Sequence, residues 1–540
     1  MTYKEILQSK RNEIVELLRE LVSFQSVKAP APAGKPGEPF GPGVAAAYKA
    51  LLAHARADGF DVFDADGWGG HIEWPGAVTD ERGEIVGAAE RTLGIPVHLD
   101  VVPAGDGWAS DPWTLEERDG KLYGRGTADD KGAAVCVYFA MKALRESGFQ
   151  PEKNVRLIIG LDEETGWSGM DKYAEAVAAA RGTAGAPIAA TGTTTAPASA
   201  HAVADFGFAP DAEFPVIHAE LGTMIFELAR KFEPSRETGL HVRSVTGGNA
   251  PNMAPDSCRA ILVYESGAPD KKGGKKKGAR GGETLSKAAQ QAEAKAFDQV
   301  KEAARAYQKS TGYSLSCKGR GSAVELTARG VSAHGAHPEL GLNAISVLME
   351  FLGTLPVANE SARDFIDFYN ACVGFETGGR SLGIAASDEV SGSLVVNAGM
   401  IDLGRDAAIL TLNVRNPVTR NEDDVYDALR PTIDRYGLGV VRQMGMAPLF
   451  FPEDDPFIET LMRVYRENTG DYESKPVVSR GCTYARAIPH AVAFGPSFPG
   501  EEDVMHQKDE YIREESLMRA AQIYADAIHA LSGKEFLLNP

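Results

Sequence analysis

Cysteine is scarce in this sequence. The chain has five cysteines among 540 residues, and they are odd in number and widely scattered. No Cys-x-x-Cys pair occurs, which argues against thiolate zinc sites and against a disulfide framework. The amino terminus also lacks the apolar core of a signal peptide. We therefore expect a cytoplasmic location.

Long apolar runs and an excess of positive charge are missing as well. No stretch approaches the roughly 18 uninterrupted apolar residues that a transmembrane helix needs, so no membrane span is predicted. Lys and Arg total 56 against 75 Asp and Glu, a net charge of −19, which argues against nucleic acid as a partner. With 43% apolar residues the chain can bury a large core, and its length predicts two or more domains.

The pattern of predicted elements changes along the chain. From 93 to 173, strands alternate with helices, which predicts an α/β layer with a mixed, mainly parallel sheet. Strand-like alternation then covers 220–265 and 315–415, with two helices predicted among the strands, which is an α+β pattern. From 446 onward the alternation of helix and strand resumes. We interpret this return as the rest of the first domain.

This reading predicts a catalytic domain in two parts, 1–218 and 448–540, with an α+β lid domain inserted at 219–447. Two stretches of biased composition interrupt the pattern. Residues 176–203 are dominated by Ala, Gly and Thr, which predicts a surface insertion or loop. Residues 268–284 are rich in Lys and Gly, which predicts an exposed, solvated loop.

Three clusters of acidic or imidazole side chains follow predicted strands. They are His98 with Asp100, Asp129 with Asp130, and Asp162 with Glu163 and Glu164. In open α/β sheets, ligands bind outside the carboxyl ends of the strands. Carboxylates gathered in one place repel each other unless a cation holds them. The three clusters together therefore predict a metal site, and oxygen and nitrogen donors without thiolate suit Zn²⁺, Mn²⁺ or Co²⁺.

Two of the clusters also have simpler interpretations. His98 and Asp100 share one face of a strand, so Asp100 could accept the second N–H of the imidazole. Alone, that pair could equally be a half-buried histidine beside an acid. Asp129 and Asp130 directly precede a predicted helix, so a helix cap and a metal ligand are both open for them.

The side chains of the acidic turn after the third strand are expected to point in different directions. Glu163 and Glu164 are neighbours on an extended segment and point to opposite sides, so they cannot both bind one ion with the same geometry. A natural division makes Glu164 a ligand and Glu163 the base that takes a proton from a water. Asp162 would support them, and a solvated acidic turn is the alternative.

Together these motifs resemble a known family. His98-x-Asp100, Gly-x-Gly-x-x-Asp129-Asp130-Lys-Gly and Asp162-Glu163-Glu164 are similar to motifs of the co-catalytic zinc peptidases related to aminoacylase and glutamate carboxypeptidase. Two longer stretches, 164–170 and 208–215, look like the PepV-like bacterial dipeptidases within that family. The resemblance runs from the first predicted helix to about residue 532.

The resemblance implies two Zn²⁺ ions, for which Mn²⁺ or Co²⁺ could substitute. The implied ligands are His98, Asp129, Glu164, Asp211 and His506. Asp129 would bridge the ions, and its peptide bond to Asp130 would be cis. Asp100 would orient His98. Glu163 would act as general base and then as acid to the leaving amine.

The resemblance also gives roles to residues of the inserted domain. His334, in Ser332-Ala333-His334-Gly335, would stabilise the oxyanion. Asn252 and Arg415 would bind polar ends of the substrate, and the planar fork of arginine suits a carboxylate. An enlarged lid of this kind can supply its histidine within one chain, so we expect a monomer, with a homodimer as the alternative.

We therefore predict a di-zinc metallopeptidase that hydrolyses dipeptides or short unblocked peptides through a metal-bridging water activated by Glu163. An N-acyl-amino-acid deacylase would use the same metal site with a different pocket. A catalytically silent relative that binds peptides is the third hypothesis. The expected partner is a small peptide substrate, with neither nucleic acid nor membrane.

Overall fold

A computed structural model of the chain describes residues 1–30, 35–181, 203–235, 237–266 and 287–536. The chain divides into two compact units. The first unit comprises Met1–Ala219 and Leu449–Pro540, and the second comprises Glu220–Pro448. The predicted limits of the inserted domain each lie one residue before those of the second unit.

The two stretches of biased composition fall mostly outside the described residues. Residues 182–202 and 268–284 are not among them. The loop predicted from 176 begins too early, because the helix Ser168–Ala180 continues through that position. Alanine has the highest helix propensity, and the Ala-rich sequence extends the helix for that reason.

The first unit is built around a nine-stranded mixed sheet. Its four central strands run parallel: Asn154–Gly160, Thr92–His98, Phe206–Ala209 and Ala491–Ala493. Antiparallel strands flank this centre on both sides. The order across the sheet is Asp61–Asp64, Gly70–Trp74, Asn154–Gly160, Thr92–His98, Phe206–Ala209, Ala491–Ala493, Ile217–Glu220 and Leu449–Phe450, with Val477–Ser479 also paired to Ile217–Glu220. The predicted α/β class with a mixed, mainly parallel sheet is confirmed.

Helices cover this sheet and bury its apolar strands. All residues of Thr92–His98 are buried, as expected for a strand in the parallel centre of a covered sheet. The helices of the first unit are Tyr3–Ser9, Arg11–Ser23, Pro42–Ala57, Lys131–Glu146, Ser168–Ala180, Pro456–Thr469 and Glu514–Ser532, with 3-10 turns at Glu163–Thr165 and Tyr484–Ala487. Among the described residues, no helix is long and apolar enough to cross a membrane.

The amino terminus forms two helices that meet at Lys10, and both of them contact the buried helix Lys131–Glu146. The interruption lets each piece turn its apolar side chains towards that helix. Lys131–Glu146 itself is buried along most of its length and also packs on Glu514–Ser532.

Three small sheets complete the first unit. A hairpin pairs Ala77–Thr79 with Ile85–Ala88, and Ala212–Glu213 pairs with Pro496–Ser497. The third is a ladder in which Lys121–Tyr123 is the middle strand, between Glu116–Arg118 and Tyr511–Arg513.

The second unit has an eight-stranded antiparallel sheet. Its order is Ser314–Gly319, Ala323–Arg329, Ser257–Glu265, Gly239–Gly247, Val395–Leu403, Ala407–Asn416, Gly222–Lys231 and Gly439–Met446. Its helices are Lys287–Thr311, Ala344–Gly353, Glu360–Cys372 and Glu422–Tyr436, with a 3-10 turn at Pro338–Leu340. Short strand pairs join Met253–Ala254 to Ala333–His334, and Ser387–Asp388 to Gly392–Ser393. Helix Ala344–Gly353 packs on the sheet over an apolar core. This is the predicted α+β organisation.

Candidate metal centre

Three of the predicted ligands come from the ends of neighbouring parallel strands. His98 is the last residue of its strand, Glu164 follows the strand that ends at Gly160, and Asp211 follows the strand that ends at Ala209. Because these strands are parallel neighbours, their carboxyl ends meet at one edge of the sheet. Asp129 enters from the loop that leads into helix Lys131–Glu146.

Asp129 lies between two histidines. Its Oδ1 is 2.9 Å from Nε2 of His98, and its Oδ2 is 2.9 Å from Nε2 of His506. The carboxylate of Glu164 is 3.1 Å from the same nitrogen of His506, and Oδ1 of Asp211 is 3.7 Å from Nε2 of His98. The first unit thus brings all five predicted ligands together. His98 and Asp211 lie on the side of Oδ1 of Asp129, and His506 and Glu164 lie on the side of Oδ2.

The donors fit divalent cations. Ligand atoms of His98, Asp129 and Glu164 lie within 4.8 Å of one another, and so do those of His98, Asp130 and Asp211. The two groups share His98 and offer only oxygen or nitrogen donors, which suits Zn²⁺, Mn²⁺ or Co²⁺. Oδ1 of Asp130 is buried and has no hydrogen-bond partner among the described residues, as expected beside a cation.

The electrostatics describe a site crowded with negative charge. Burial and the nearby Asp129 carboxylate together raise the pKa of Glu164 to about 7. Burial and the Asp211 carboxylate raise the pKa of Glu163 well above its ordinary value. Burial would lower the pKa of His98, but the surrounding carboxylates, Asp100 foremost, raise it overall. A divalent cation would reverse this tendency, because it favours ionised carboxylates and neutral imidazoles.

Asp100 contacts His98 differently from the prediction. Nδ1 of His98 donates to the backbone carbonyl oxygen of Asp100 at 2.9 Å, whereas the Asp100 carboxylate lies 3.6 Å away. That carboxylate accepts the backbone N–H groups of Glu163 at 3.1 Å and Glu164 at 3.2 Å. Asp100 therefore fixes the imidazole through its main chain and the acidic turn through its side chain.

The acidic turn is held at both ends. Oε1 of Glu163 accepts the indole N–H of Trp167 at 3.2 Å. Asp162, whose role the sequence left open, accepts the hydroxyl of Ser168 at 2.7 Å and the N–H of Gly169 at 2.9 Å. These contacts anchor the turn to the amino terminus of helix Ser168–Ala180.

The peptide bond between Asp129 and Asp130 is cis, as the resemblance implied. The side chain of Asp130 does not cap the following helix. Its Oδ2 instead accepts the backbone N–H of His98 at 3.1 Å. The helix-cap interpretation of Asp130 is therefore wrong.

Sequence reasoning missed two buried residues beside the ligands. Glu510 is fully buried and accepts hydrogen bonds from the loop that carries Asp129. Tyr484 is buried with its ring perpendicular to that of His98, the centroids 6.3 Å apart. The only available sequence signal for Glu510 was its position four residues after His506.

The three remaining predicted site residues lie in the second unit. The strand pairing of Met253 with His334 brings His334 beside Asn252, whose carbonyl accepts the N–H of Gly335 at 2.6 Å. Arg415 is buried in strand Ala407–Asn416, where its Nη1 donates to Thr223 Oγ1 at 2.6 Å.

One asparagine links these positions. Asn397 donates to the carbonyls of Pro251 and Met253, at 2.9 and 3.0 Å, on either side of Asn252. In the sheet it pairs with Asn413, which accepts a hydrogen bond from Nε of Arg415 at 3.1 Å. The segment with Asn252 is thus tied to the strand beside that of Arg415.

Known proteins resemble this chain over nearly all of its length. A protein named "Putative dipeptidase" from Staphylococcus epidermidis is 32% identical over 533 residues, 98% of this chain and 99% of that protein. "Putative dipeptidase YtjP" from Bacillus subtilis is 31% identical over 525 residues, 97% of this chain and 98% of that protein.

Solved structures show the same fold at low sequence identity. Human carnosine dipeptidase 1 matches with a TM-score of 0.51 and 15% identity over 98% of both chains. The di-peptidase Dug1p of Saccharomyces cerevisiae matches with a TM-score of 0.51 and 10% identity, again over 98% of both chains. The sequence model of Peptidase family M20/M25/M40 matches residues 94–530, a span that contains every ligand of the candidate centre. This chain therefore belongs to Peptidase family M20/M25/M40, a family of metal-dependent peptidases.

Proposed function

We propose that this protein is a metal-dependent dipeptidase with two divalent cations, Zn²⁺ by preference. The observation that carries the proposal is the placement of Asp129, with one carboxylate oxygen 2.9 Å from His98 and the other 2.9 Å from His506. Relatives that are named dipeptidases and match almost the whole chain support the substrate class.

The ligands divide into two sets. His98, Asp211 and Oδ1 of Asp129 would hold one cation, and His506, Glu164 and Oδ2 of Asp129 would hold the other. When bound, such cations lower the pKa of water and polarise a carbonyl group. Three protein ligands for each ion would leave positions open for substrate.

Glu163 is the proposed proton carrier. Its carboxylate takes a proton from the water that attacks the peptide carbonyl carbon, and it returns that proton to the nitrogen as the C–N bond breaks. The hydrogen bond from the Trp167 indole fixes the orientation of the carboxylate. Glu163 is half-buried, which limits competing water around this group and strengthens its electrostatic interactions.

Residues of the second unit complete the proposal. His334 would donate to the carbonyl oxygen as negative charge develops on it. Asn252 and Arg415 would bind polar ends of the peptide, and the guanidinium fork suits a terminal carboxylate. One chain contains all of these residues, and we propose a monomer. The wide scatter of the five cysteines along the sequence supports a cytoplasmic location.

A substrate panel with metal analysis tests the function. Purified protein is assayed on dipeptides, tripeptides, and acetyl and succinyl amino acids, with and without a chelator, and its metal content is measured in parallel. We expect about two equivalents of metal and chelator-sensitive hydrolysis of unblocked dipeptides. Turnover of acylated amino acids alone would assign a deacylase instead. Metal binding without any turnover would assign a silent peptide-binding protein.

A further inference from the structure

We propose that Glu510 is a positioning residue that places the Asp129 carboxylate between the two cations and so sets the affinity for metal. The inference rests on the dinuclear centre proposed above and adds a residue that binds neither metal nor substrate. Glu510 acts from behind the centre, on the main chain of the loop that carries Asp129.

Glu510 uses both carboxylate oxygens on this loop. Its Oε1 accepts the backbone N–H groups of Gly126, Ala128 and Asp129 at 3.0, 2.9 and 3.2 Å. Its Oε2 accepts Nη1 of Arg125 at 2.5 Å and lies 3.1 Å from the N–H of Gly126. A loop that turns its N–H groups inward onto one carboxylate cannot shift Asp129 without breaking these bonds.

The contacts require an ionised carboxylate. The described groups that face the two oxygens are all N–H donors, so a protonated oxygen or an amide NH₂ group would lose its partner. Burial and the Asp129 carboxylate raise the pKa of Glu510, while Arg125 and the loop N–H groups lower it. Arg125 is itself buried and stacks on Trp108, 5.2 Å from the ring centroid, so it provides a fixed counter-charge.

Glu510 also connects Asp129 to His506. The strand Lys121–Tyr123, which leads into the Asp129 loop, pairs with Tyr511–Arg513, which directly follows Glu510. The backbone N–H of Gly124 donates to the carbonyl oxygen of Glu510 at 3.0 Å. The segment that delivers His506 is therefore fastened to the loop that delivers Asp129 by this ladder and by one side chain. These contacts set the distance between Asp129 and His506.

A merely structural ion pair would behave differently from a positioning residue. A buried Arg–Glu pair is weak evidence of stabilisation, because desolvation of both charges opposes their attraction. If Glu510 served stability alone, its loss would lower the melting temperature and leave the metal affinity of the folded protein unchanged. If it positions Asp129, metal affinity must fall in protein that is still folded.

Glu510→Gln tests the proposal because it preserves size and shape. One oxygen becomes an NH₂ group, which faces N–H donors in either orientation of the amide. The probe is Co²⁺, titrated into metal-free full-length protein and followed by its visible absorption. We expect Co²⁺ affinity to fall about 10–100-fold, the usual effect of losing a residue that orients metal ligands. We also expect hydrolysis to recover as Co²⁺ is raised.

Glu515→Gln is the matched control. Glu515 lies five residues further on, is exposed and pairs with Arg519, so its variant should bind Co²⁺ as the wild type does. Wild-type Co²⁺ affinity in Glu510→Gln would overturn the positioning role and leave the proposed function intact. A wild-type protein that binds no Co²⁺ would overturn the metal centre and this inference together.

A second measurement does not depend on the folding of a variant. Hydrogen–deuterium exchange of the metal-free wild-type protein reports on the N–H groups of Gly126, Ala128 and Asp129. We expect strong protection of the peptide that contains them before metal is added, because Glu510 already binds these groups. Rapid exchange that slows only with Co²⁺ would show that metal, and not Glu510, orders the loop.

Discussion

The indole N–H of Trp167 donates to the carboxylate of Glu163 across 3.2 Å. Trp167 has a left-handed backbone with φ of 64°, which is uncommon for a residue with a bulky side chain. Its ring also packs edge-on against buried Tyr484, with the centroids 4.9 Å apart. Trp167 therefore orients the carboxylate of the proposed base, and its contact with Tyr484 fixes the position of the Trp167 ring.

Replacing Glu163 by Gln should remove the proton carrier and keep the ligands. We expect kcat for dipeptide hydrolysis to fall by about 10²–10⁴-fold, the usual contribution of a general base. Metal content should stay at the wild-type level, since Glu163 belongs to neither ligand set. Steady-state kinetics and elemental analysis of one preparation measure both, with exposed Glu175→Gln as the control. A Glu163→Gln enzyme with undiminished kcat would disprove the assigned role.

Asp129→Asn should affect both cations, whereas Asp211→Asn should affect one. Each carboxylate oxygen of Asp129 lies 2.9 Å from one of the two histidines, whereas Asp211 lies 3.7 Å from His98. We expect calorimetric titration of the metal-free protein with Zn²⁺ to show weakened binding at two sites in Asp129→Asn. In Asp211→Asn one site should keep wild-type affinity. Equal effects of the two substitutions would contradict a bridging Asp129.

Removal of metal should destabilise the first unit. Without cations, the carboxylates of Asp129, Glu164 and Asp211 are crowded together and repel each other. Bound metal stabilises the folded state by mass action, by about 2.7 kcal/mol at a free concentration 100 times Kd. We expect EDTA to lower the melting temperature and added Zn²⁺ to restore it. A melting temperature that EDTA does not change would mean that no ion is bound at the candidate metal centre.

Asp162→Ala should loosen the acidic turn. The variant leaves the hydroxyl of Ser168 and the buried N–H of Gly169 without their acceptor. Loss of such contacts costs about 1–3 kcal/mol. We expect that loss in urea unfolding, together with a lower kcat, because the same turn carries Glu163. Asp171→Ala, on the exposed side of the same helix, is the control, and equal losses in both variants would refute an anchoring role.

His71 should make stability depend on pH. Burial, followed by the charge of Arg156, lowers the pKa of His71 to about 2 in the folded protein. The unfolded chain binds a proton near pH 6.5, so this histidine costs stability as the pH falls below 6.5. At pH 5 the cost is about 2 kcal/mol.

His71→Phe keeps an aromatic ring stacked on Phe63 and removes the titrating group. Between pH 7.5 and 5, the free energy of unfolding of the wild type should fall by about 2 kcal/mol more than that of His71→Phe. Urea unfolding at a series of pH values measures the difference. Parallel curves for His71→Phe and the wild type would refute the prediction.

Short-range rules account for much of what the sequence predicts. Parallel strands end at one edge of a sheet, so the convergence of His98 with the acidic turn follows from strand patterns alone. His506 has no such pattern around it, and only the resemblance to a peptidase family identified it. The two-residue spacing of His98 and Asp100 correctly brought them together, but it could not decide between the carbonyl and the carboxylate of Asp100.

Glu510 shows why the rest was out of reach. Apart from the side chain of Arg125, its partners are backbone N–H groups more than 380 residues away in the chain. Every non-proline residue carries such a group, so the contact leaves no trace in residue type or spacing. The same holds for Asp162, since an acidic residue in a turn does not reveal which helix it will cap.

The discontinuity of the first unit has a consequence for the newly made protein. The ribosome completes His98, Asp129, Glu164 and Asp211 early, and His506 and Glu510 only after the whole second unit. At about 5–20 residues per second, roughly 15–60 s of translation separate Asp211 from His506. Throughout that interval the nascent chain holds four ligands and lacks the fifth. With the proposed ligands, hydrolytic activity is thereby withheld from the peptidase until the second unit has been synthesised.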